Sequence, residues 1–350
     1  MHIDPYVALA GLIVGFTVGM TGMGGGALMT PILVLLFKIQ PLAAVSSDLV
    51  AAMVMKPVGG GVHMRRGTVN WGLVKWLAIG SIPSAFLGVM VLKSLGTGSQ
   101  VGDRLKVILG VALVLAAASI VAKSYLQGRS ARRRAPLAAA GETVPEPKTF
   151  AVRKGVTLLV GVLGGLVVGM TSVGSGSLII VMLLLLYPTL TAKELVGTDL
   201  VQAIPLVAAA ALGHILFGDF KLSLTASVLL GSLPGVYLGA KLSSRASDAV
   251  VRPALVFVLL ASGLKLLNVS TIDLGWIMLG LALVTLPVMG IIDASSRPDH
   301  HWAEAGRNKR RWIGWQAAGA PFGVGFVAAV AYFFRARPQL VESSRPPALG

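Results

Sequence analysis

A small-residue break inside apolar sequence occurs twice in this chain, in the same setting each time. Gly15-Phe-Thr-Val-Gly-Met-Thr-Gly-Met-Gly-Gly-Gly26 runs into Ala27-Leu28-Met29-Thr30-Pro31, and Gly165-Leu-Val-Val-Gly-Met-Thr-Ser-Val-Gly-Ser-Gly176 runs into Ser177-Leu178. A helix interrupted in apolar sequence exposes backbone N–H groups that lipid cannot satisfy. Such a break is tolerated only where protein buries it or where it lines a cavity. Paired breaks at matching positions of two halves point to the binding site of a transporter.

The duplication extends beyond the glycines. With one residue inserted, Asp48-Leu49-Val50 matches Asp199-Leu200-Val201, His63 matches His214, and Gly67 matches Gly218. Gly80-Ser81-x-Pro83 matches Gly231-Ser232-x-Pro234, and Leu87-Gly88 matches Leu238-Gly239. Spacing held over so long a stretch marks an internal repeat rather than low complexity.

Of the 350 residues, 55% are hydrophobic and 13% charged, with a mean hydropathy of +0.81. Long apolar runs with so few charges specify a multi-span α-helical membrane protein. The net charge of +16 would suggest nucleic acid in a soluble chain. Here the basic residues cluster between apolar runs, so topology and anionic lipid headgroups account for them and no nucleic acid is expected. Absence of cysteine excludes disulfide and thiol chemistry. Met1-His-Ile-Asp-Pro5 has no basic n-region, so no cleaved leader is expected.

The expected organisation is a transmembrane repeat over 6–126, a basic Pro-containing cytoplasmic linker over 127–154, and a second repeat over 155–268. A further helix at 273–292, a polar basic loop at 293–311, a last transmembrane helix at 312–334 and a disordered tail at 335–350 follow. Trp312, Trp315 and Tyr332 would form an aromatic belt at the two ends of that last helix. The second runs of the halves, 27–37 and 177–187, span only ~17 Å against a hydrocarbon core of ~30 Å. Each half therefore either crosses five times or contains a hairpin that dips in plus three crossings. The parity is odd in both cases, so the two halves are expected to be inverted. Basic clusters such as Arg65-Arg66 and Lys241, Arg245 and Arg252 then fall on the cytoplasmic side with the linker, while Arg104 and Lys106 fall outside.

The paired G-x-x-x-G-M-T-x-x-G-x-G segments, Ser47-Asp48-Leu49 with Thr198-Asp199-Leu200, the His63 and His214 pair and the G-S-x-P-x-x-x-L-G pair resemble the TauE/SafE-type sulfite/sulfonate exporter family. The resemblance covers about 8–268. It implies a permease of the bacterial inner membrane for small anions such as sulfite, sulfonates and related organic anions. The linker and the final run are additions to the pattern.

The candidate substrate ligands are the backbone and hydroxyl donors at the breaks: Thr21, Gly24, Gly25, Gly26, Thr171, Gly174, Ser175, Gly176 and Ser177. Half-helix N-termini are positive dipole ends, and two facing one cavity bind an anion without a fixed charge. The competing reading is close helix packing, which also selects small residues. Lys56, whose counterpart is Val207, is a candidate fixed cation or a partner for Asp48, and Gln202 a candidate neutral donor. Asp48 and Asp199 are candidates to couple a proton or Na⁺, since intramembrane carboxylates are costly; the alternative is a helix cap at a late helix start. His63 and His214 are candidate protonatable gates, or interfacial histidines bonding a loop carbonyl. Asp299-His300-His301-x-x-Glu304 has metal-ligand residue types but reads as a solvated loop, and neither metal nor cofactor is expected.

These residues support a secondary transporter working by alternating access, here as an exporter, with a passive anion channel as the alternative. A membrane enzyme using Ser175 or Ser177 as nucleophile would need a base and cations beside the serine. Neither motif carries them in sequence, so no enzymatic activity is expected.

Overall fold

The computed structural model describes residues 3–21, 25–65, 67–94, 99–139, 152–242, 248–296, 299–318 and 324–342. Among them every regular element is helical. The chain divides into two compact units, Met1–Val269 and Ser270–Gly350.

In the first unit the helices are α1 (Pro5–Thr21), α2 (Gly26–Leu35), α3 (Pro41–Arg65), α4 (Trp71–Ser94), α5 (Ser99–Ala139), α6 (Lys154–Thr171), α7 (Leu178–Leu186), α8 (Ala192–Phe217), α9 (Leu222–Leu242) and α10 (Asp248–Leu266). The glycine segments fall in the gaps between α1 and α2 and between α6 and α7. With 10 residues in α2 and 9 in α7, neither short helix reaches across a ~30 Å hydrocarbon core alone. Helices over Trp71–Ser94, Val101–Lys123, Lys154–Thr171, Lys193–Phe217, Leu222–Gly239 and Thr271–Ser295 are long and apolar enough to cross.

Small residues decide how these helices meet. α1 lies along α9, and α6 lies along α4. A methyl group at Gly165 would overlap the Ser81 carbonyl and the Ser84 hydroxyl, and one at Gly15 would overlap the Ser232 carbonyl. Gly15 corresponds to Gly165 and Ser232 to Ser81, so the two seams are one contact used twice. Without a hydrophobic force between helices in lipid, such close backbone approach is what holds them. The first helix of each half thus packs on the fourth helix of the other. Other pairs also cross between the halves: α2 meets α10, α7 meets α5, and α3 meets α8 at the centre, while α2 also packs on α3 of its own half.

The hairpin of the second half is tied at its open end. The Tyr187 hydroxyl, just past α7, accepts the Arg153 N–H at 2.9 Å and lies 2.6 Å from the Thr157 hydroxyl of α6. α8 begins at a true capping box. Thr191 accepts the Glu194 N–H, and Glu194 accepts the Thr191 N–H in return. Asp199 therefore lies inside α8, and Asp48 likewise lies inside α3. The late-start capping reading of these two residues fails on that point.

Other boundaries differ from expectation. α5 continues to Ala139, well past 126, and residues 140–151 of the expected linker lie outside the described residues.

The second unit holds α11 (Thr271–Ser296), α12 (Asp299–Glu304), α13 (Lys309–Ala318), α14 (Val324–Ala331), a π-helical turn Tyr332–Ala336, and α15 (Arg337–Glu342). α11 shows large apolar side chains to its surroundings, Trp276 and Ile272 among them. Trp312 and Tyr332 have ring centroids 6.0 Å apart and are buried together with Trp302. One continuous helix would place them ~30 Å apart. The run 312–334 is therefore not a single straight crossing flanked by an aromatic belt. Trp302, Trp312 and Tyr332 make this unit's core instead, anchored by the Tyr332 hydroxyl on the Asp293 carboxylate at 2.6 Å, while Trp315 stays exposed. The expected tail also differs, since helix runs on to Glu342. Asp299 pairs with Lys309 at 2.9 Å, which gives its carboxylate a structural partner.

Candidate functional site

The two breaks meet. Gly26, the first residue of α2, lies against the carbonyl and hydroxyl of Ser172 at the end of α6, so closely that a side chain would not fit there. Ser172 turns the chain out of α6 with φ +61°, and Gly174 and Gly176 follow at φ +123° and +94°. Those last two values suit glycine and little else. The Gly-x-Gly spacing of the second break thus has a backbone cause. Thr171 stabilises the turn, since its hydroxyl donates to the Val167 carbonyl at 2.6 Å and accepts the Val173 N–H at 3.1 Å. Its proton is used by the scaffold, which leaves it a weaker candidate as substrate donor.

The start of α7 is also partly self-satisfied. The Ser177 and Leu178 N–H groups both donate to the Gly174 carbonyl, at 3.3 and 3.0 Å. Of the expected donors in this break, the Gly176 N–H instead lies beside the Asp199 carboxylate. At the first break Gly25 is the N-cap of α2 and makes no side-chain cap, so helix geometry leaves the N–H groups of Gly26 and Ala27 without an intrahelical acceptor. Gly24 and the Thr21 side chain lie outside the described residues.

A small cleft is lined from both breaks, by Ala27 and Leu28 on one side and Ser175, Gly176 and Ser177 on the other, with Ala116 of α5 and Leu255 of α10 among its walls. Lys56 reaches the same region. It is buried, and its Nζ donates to the Ser175 hydroxyl at 2.6 Å. A lysine of the first half thus touches the break of the second. Asp48 and Asp199 are the charges that act on it.

Asp48 is buried and accepts the Thr30 hydroxyl of α2 at 2.9 Å, with the Ser172 hydroxyl also in reach. Asp199 is 1% exposed, yet neither of its oxygens accepts a well-formed hydrogen bond from a described residue. Gln202, one turn on, is fully buried. Its Oε1 accepts the Ser81 hydroxyl at 3.2 Å, while its Nε2 has no partner among the described residues.

The two histidines differ. His63 is half-buried at the end of α3 and bonds the Thr68 hydroxyl at 2.9 Å. His214 is fully buried, not interfacial. Its Nε2 lies 2.8 Å from the Gly169 carbonyl on α6, and its Nδ1 lies 2.8 Å from the Ser46 hydroxyl on α3. A carbonyl only accepts, so Nε2 carries a proton. The ring is a strut joining α3, α8 and the broken helix α6.

Reasoning from sequence missed Thr30, Ser46 and Ser172. Each is a small hydroxyl residue whose role depends on another helix, in the opposite half for Ser46 and Ser172 and on α3 of the same half for Thr30, and no local pattern marks it. One signal was available: Thr30 has no counterpart hydroxyl, because Ile180 occupies that place in the second copy.

Comparison with known proteins places these features in context. The sequence model of the family described as sulfite exporter TauE/SafE matches residues 7–266. The probable membrane transporter protein YjnA of Bacillus subtilis (strain 168) is 39% identical over 262 residues, which is 75% of this chain and 98% of that protein. The probable membrane transporter protein YdhB of the same organism is 25% identical over 262 residues, again 75% of this chain and 99% of that protein. No solved structure matches the chain.

Proposed function

The chain belongs to the sulfite exporter TauE/SafE family and is a multi-pass membrane transporter, and from that premise we propose that it is a secondary transporter of small anions, sulfite or sulfonates first among them. It acts as an exporter across the plasma (inner) membrane, with the segment 127–154 on the cytoplasmic side. The anion lies where the two breaks meet. Lys56 supplies the fixed positive charge, the Ser175 hydroxyl a directional donor, and the start of α2 a positive dipole end. The observation that carries this reading is the Lys56–Ser175 contact at 2.6 Å, a buried cation of one half held at the break of the other. A sulfite or sulfonate group has three oxygens and can accept from all three sources at once.

The halves are inverted in the membrane. Rocking one against the other along the glycine seams opens the centre first to one side and then to the other. Residues of a channel could bind the same anion, and flux kinetics separate the two.

The test is flux in proteoliposomes containing the full chain, with sulfite, sulfate, thiosulfate, taurine, sulfoacetate and small carboxylates. Saturable counterflow, in which an outward gradient of unlabelled anion drives labelled anion inward, is the expected result. Fast flux that never saturates and shows no counterflow contradicts alternating access and assigns a channel. Absence of flux for every anion contradicts the substrate class.

A further inference from the structure

The two duplicated carboxylates sit at equivalent places but in unequal surroundings. Asp48 has the Thr30 hydroxyl at 2.9 Å. Asp199 has Ile180 at the position corresponding to Thr30, and the donors beside its buried oxygens, the Gly176 N–H and the Gln202 amide, form no well-aligned hydrogen bond to them. The asymmetry recurs one turn later. Gln202 follows Asp199, whereas Ala51 follows Asp48. A buried carboxylate whose donors are so poorly aligned is costly in its charged form. It escapes that cost by taking up a cation.

The groups around Asp199 decide which cation. The Gly176 N–H, Gln202 and the ammoniums of Lys56 and Lys123 are its neighbours. These are mostly donors and positive charges. A metal cation requires a shell of oxygens instead. α4 contributes Ser81, whose hydroxyl is turned to Gln202. His214 faces Gly169 and Ser46 rather than this carboxylate. A proton needs no such shell.

We propose that Asp199 alone is the proton-coupling group, and that proton and substrate anion occupy the centre together. This rests on the anion site of the preceding subsection. With Asp199 ionised, its carboxylate and the incoming anion compete for Lys56 and for the Gly176 N–H. A proton on Asp199 withdraws the competing charge and leaves those donors to the anion. Asp48, held by Thr30, remains the permanent counter-charge of Lys56. The step moves one proton onto a carboxylate oxygen on one side of the membrane and releases it on the other. With a monovalent anion the pair carries no net charge, so export runs down the anion's own outward gradient and takes a proton out with it.

The experiment uses proteoliposomes of the full chain with ³⁵S-sulfite and an imposed gradient of one pH unit. The wild type should show counterflow and accumulate sulfite up to about tenfold on the alkaline side, the limit for one proton and one pH unit. Asp199→Asn should lose the accumulation, its ratio falling to about one, and whatever counterflow it retains should no longer depend on pH. Asp48→Asn should leave whatever flux survives responsive to the pH gradient. If Asp199→Asn does not fold, Ile180→Thr serves, because it offers the second carboxylate the donor that Thr30 gives the first. Its accumulation ratio should fall while counterflow stays. The proposal is overturned if Asp199→Asn accumulates like wild type, if Asp48→Asn alone abolishes the response, or if wild type shows counterflow with no response to pH. A wild type without sulfite counterflow overturns the anion reading on which the proposal rests, and the proposal with it.

Discussion

Lys56 has Val207 in its place in the second copy, so the duplication supplies two carboxylates and one cation at the centre. Removing that cation should affect binding more than any other single change. Lys56→Met is expected to weaken anion binding at least ~30-fold, as loss of a buried charged contact costs ~2–5 kcal/mol. Ser175→Ala, which removes one hydroxyl, should cost about tenfold or less. Equilibrium binding to detergent-solubilised protein measures both, and equal effects would contradict the hierarchy. His214→Ala tests a different role. It removes a strut between the Gly169 carbonyl and the Ser46 hydroxyl, so thermal unfolding should show a loss of ~2–4 kcal/mol, with pH-driven accumulation kept by the folded fraction. The sequence marked Asp48, Asp199, Lys56 and both breaks as separate candidates, and the fold brings Lys56 to the second break within the influence of both carboxylates. What it did not separate is Asp48 from Asp199, because Thr30 and Ile180 become relevant only when α2 and α7 turn back beside α3 and α8.

At the level of elements, glycine does two jobs, and spacing alone did not sort them. Gly174 and Gly176 make the break possible through positive φ, while Gly15 and Gly165 let helices from opposite halves touch. The breaks were readable because small residues interrupt apolar sequence twice. The seams were half-readable: the four-residue spacing of Gly161, Gly165 and Gly169 marks a packing face, but not which helix fills it. A paired substitution distinguishes packing from propensity. Gly165→Ala places a methyl group on the Ser81 carbonyl, whereas Gly155→Ala, on the same helix α6, meets nothing within 4 Å. Gly165→Ala should lower stability by ~1–3 kcal/mol, and Gly155→Ala should be neutral or gain up to ~1 kcal/mol from helix propensity. Comparable losses at both sites would refute the seam. The last apolar run shows where hydropathy misleads. A run long enough to cross instead supplies an aromatic cluster, because Trp302, Trp312 and Tyr332 find one another.

Across the whole molecule, the exchange of partners between halves is the property that an alternating-access cycle needs. Neither half buries its first helix on itself. α1 rests on α9 and α6 on α4, so relative motion of the halves is motion along two equivalent seams. The opposite orientations proposed for the two halves rest on odd parity and on the placement of basic clusters. The chain contains no cysteine, so single cysteines report that orientation without background. Cysteines at Arg65 and Lys241, at the ends of α3 and α9, should both be labelled from the cytoplasmic side by an impermeant maleimide, and one at Lys106 from the outside. Labelling of Arg65 and Lys241 from opposite sides would rule out the inverted arrangement. The unit Ser270–Gly350 has its own aromatic core and lies beyond the family match at 7–266. A chain ending at Val269 should therefore retain counterflow, and its loss would make the second unit part of the transport machinery.

The most direct measurement is the position of a bound anion. Selenite carries the geometry of sulfite and scatters anomalously, so diffraction from crystals of the full chain grown with it locates the site by element. The expected result is a selenium peak between the two breaks, with its oxygens within hydrogen-bonding distance of Lys56 Nζ and Ser175 Oγ, and no such peak in crystals of Lys56→Met. A selenium peak lodged elsewhere in the helices, or one that persists at the centre without Lys56, would contradict the account.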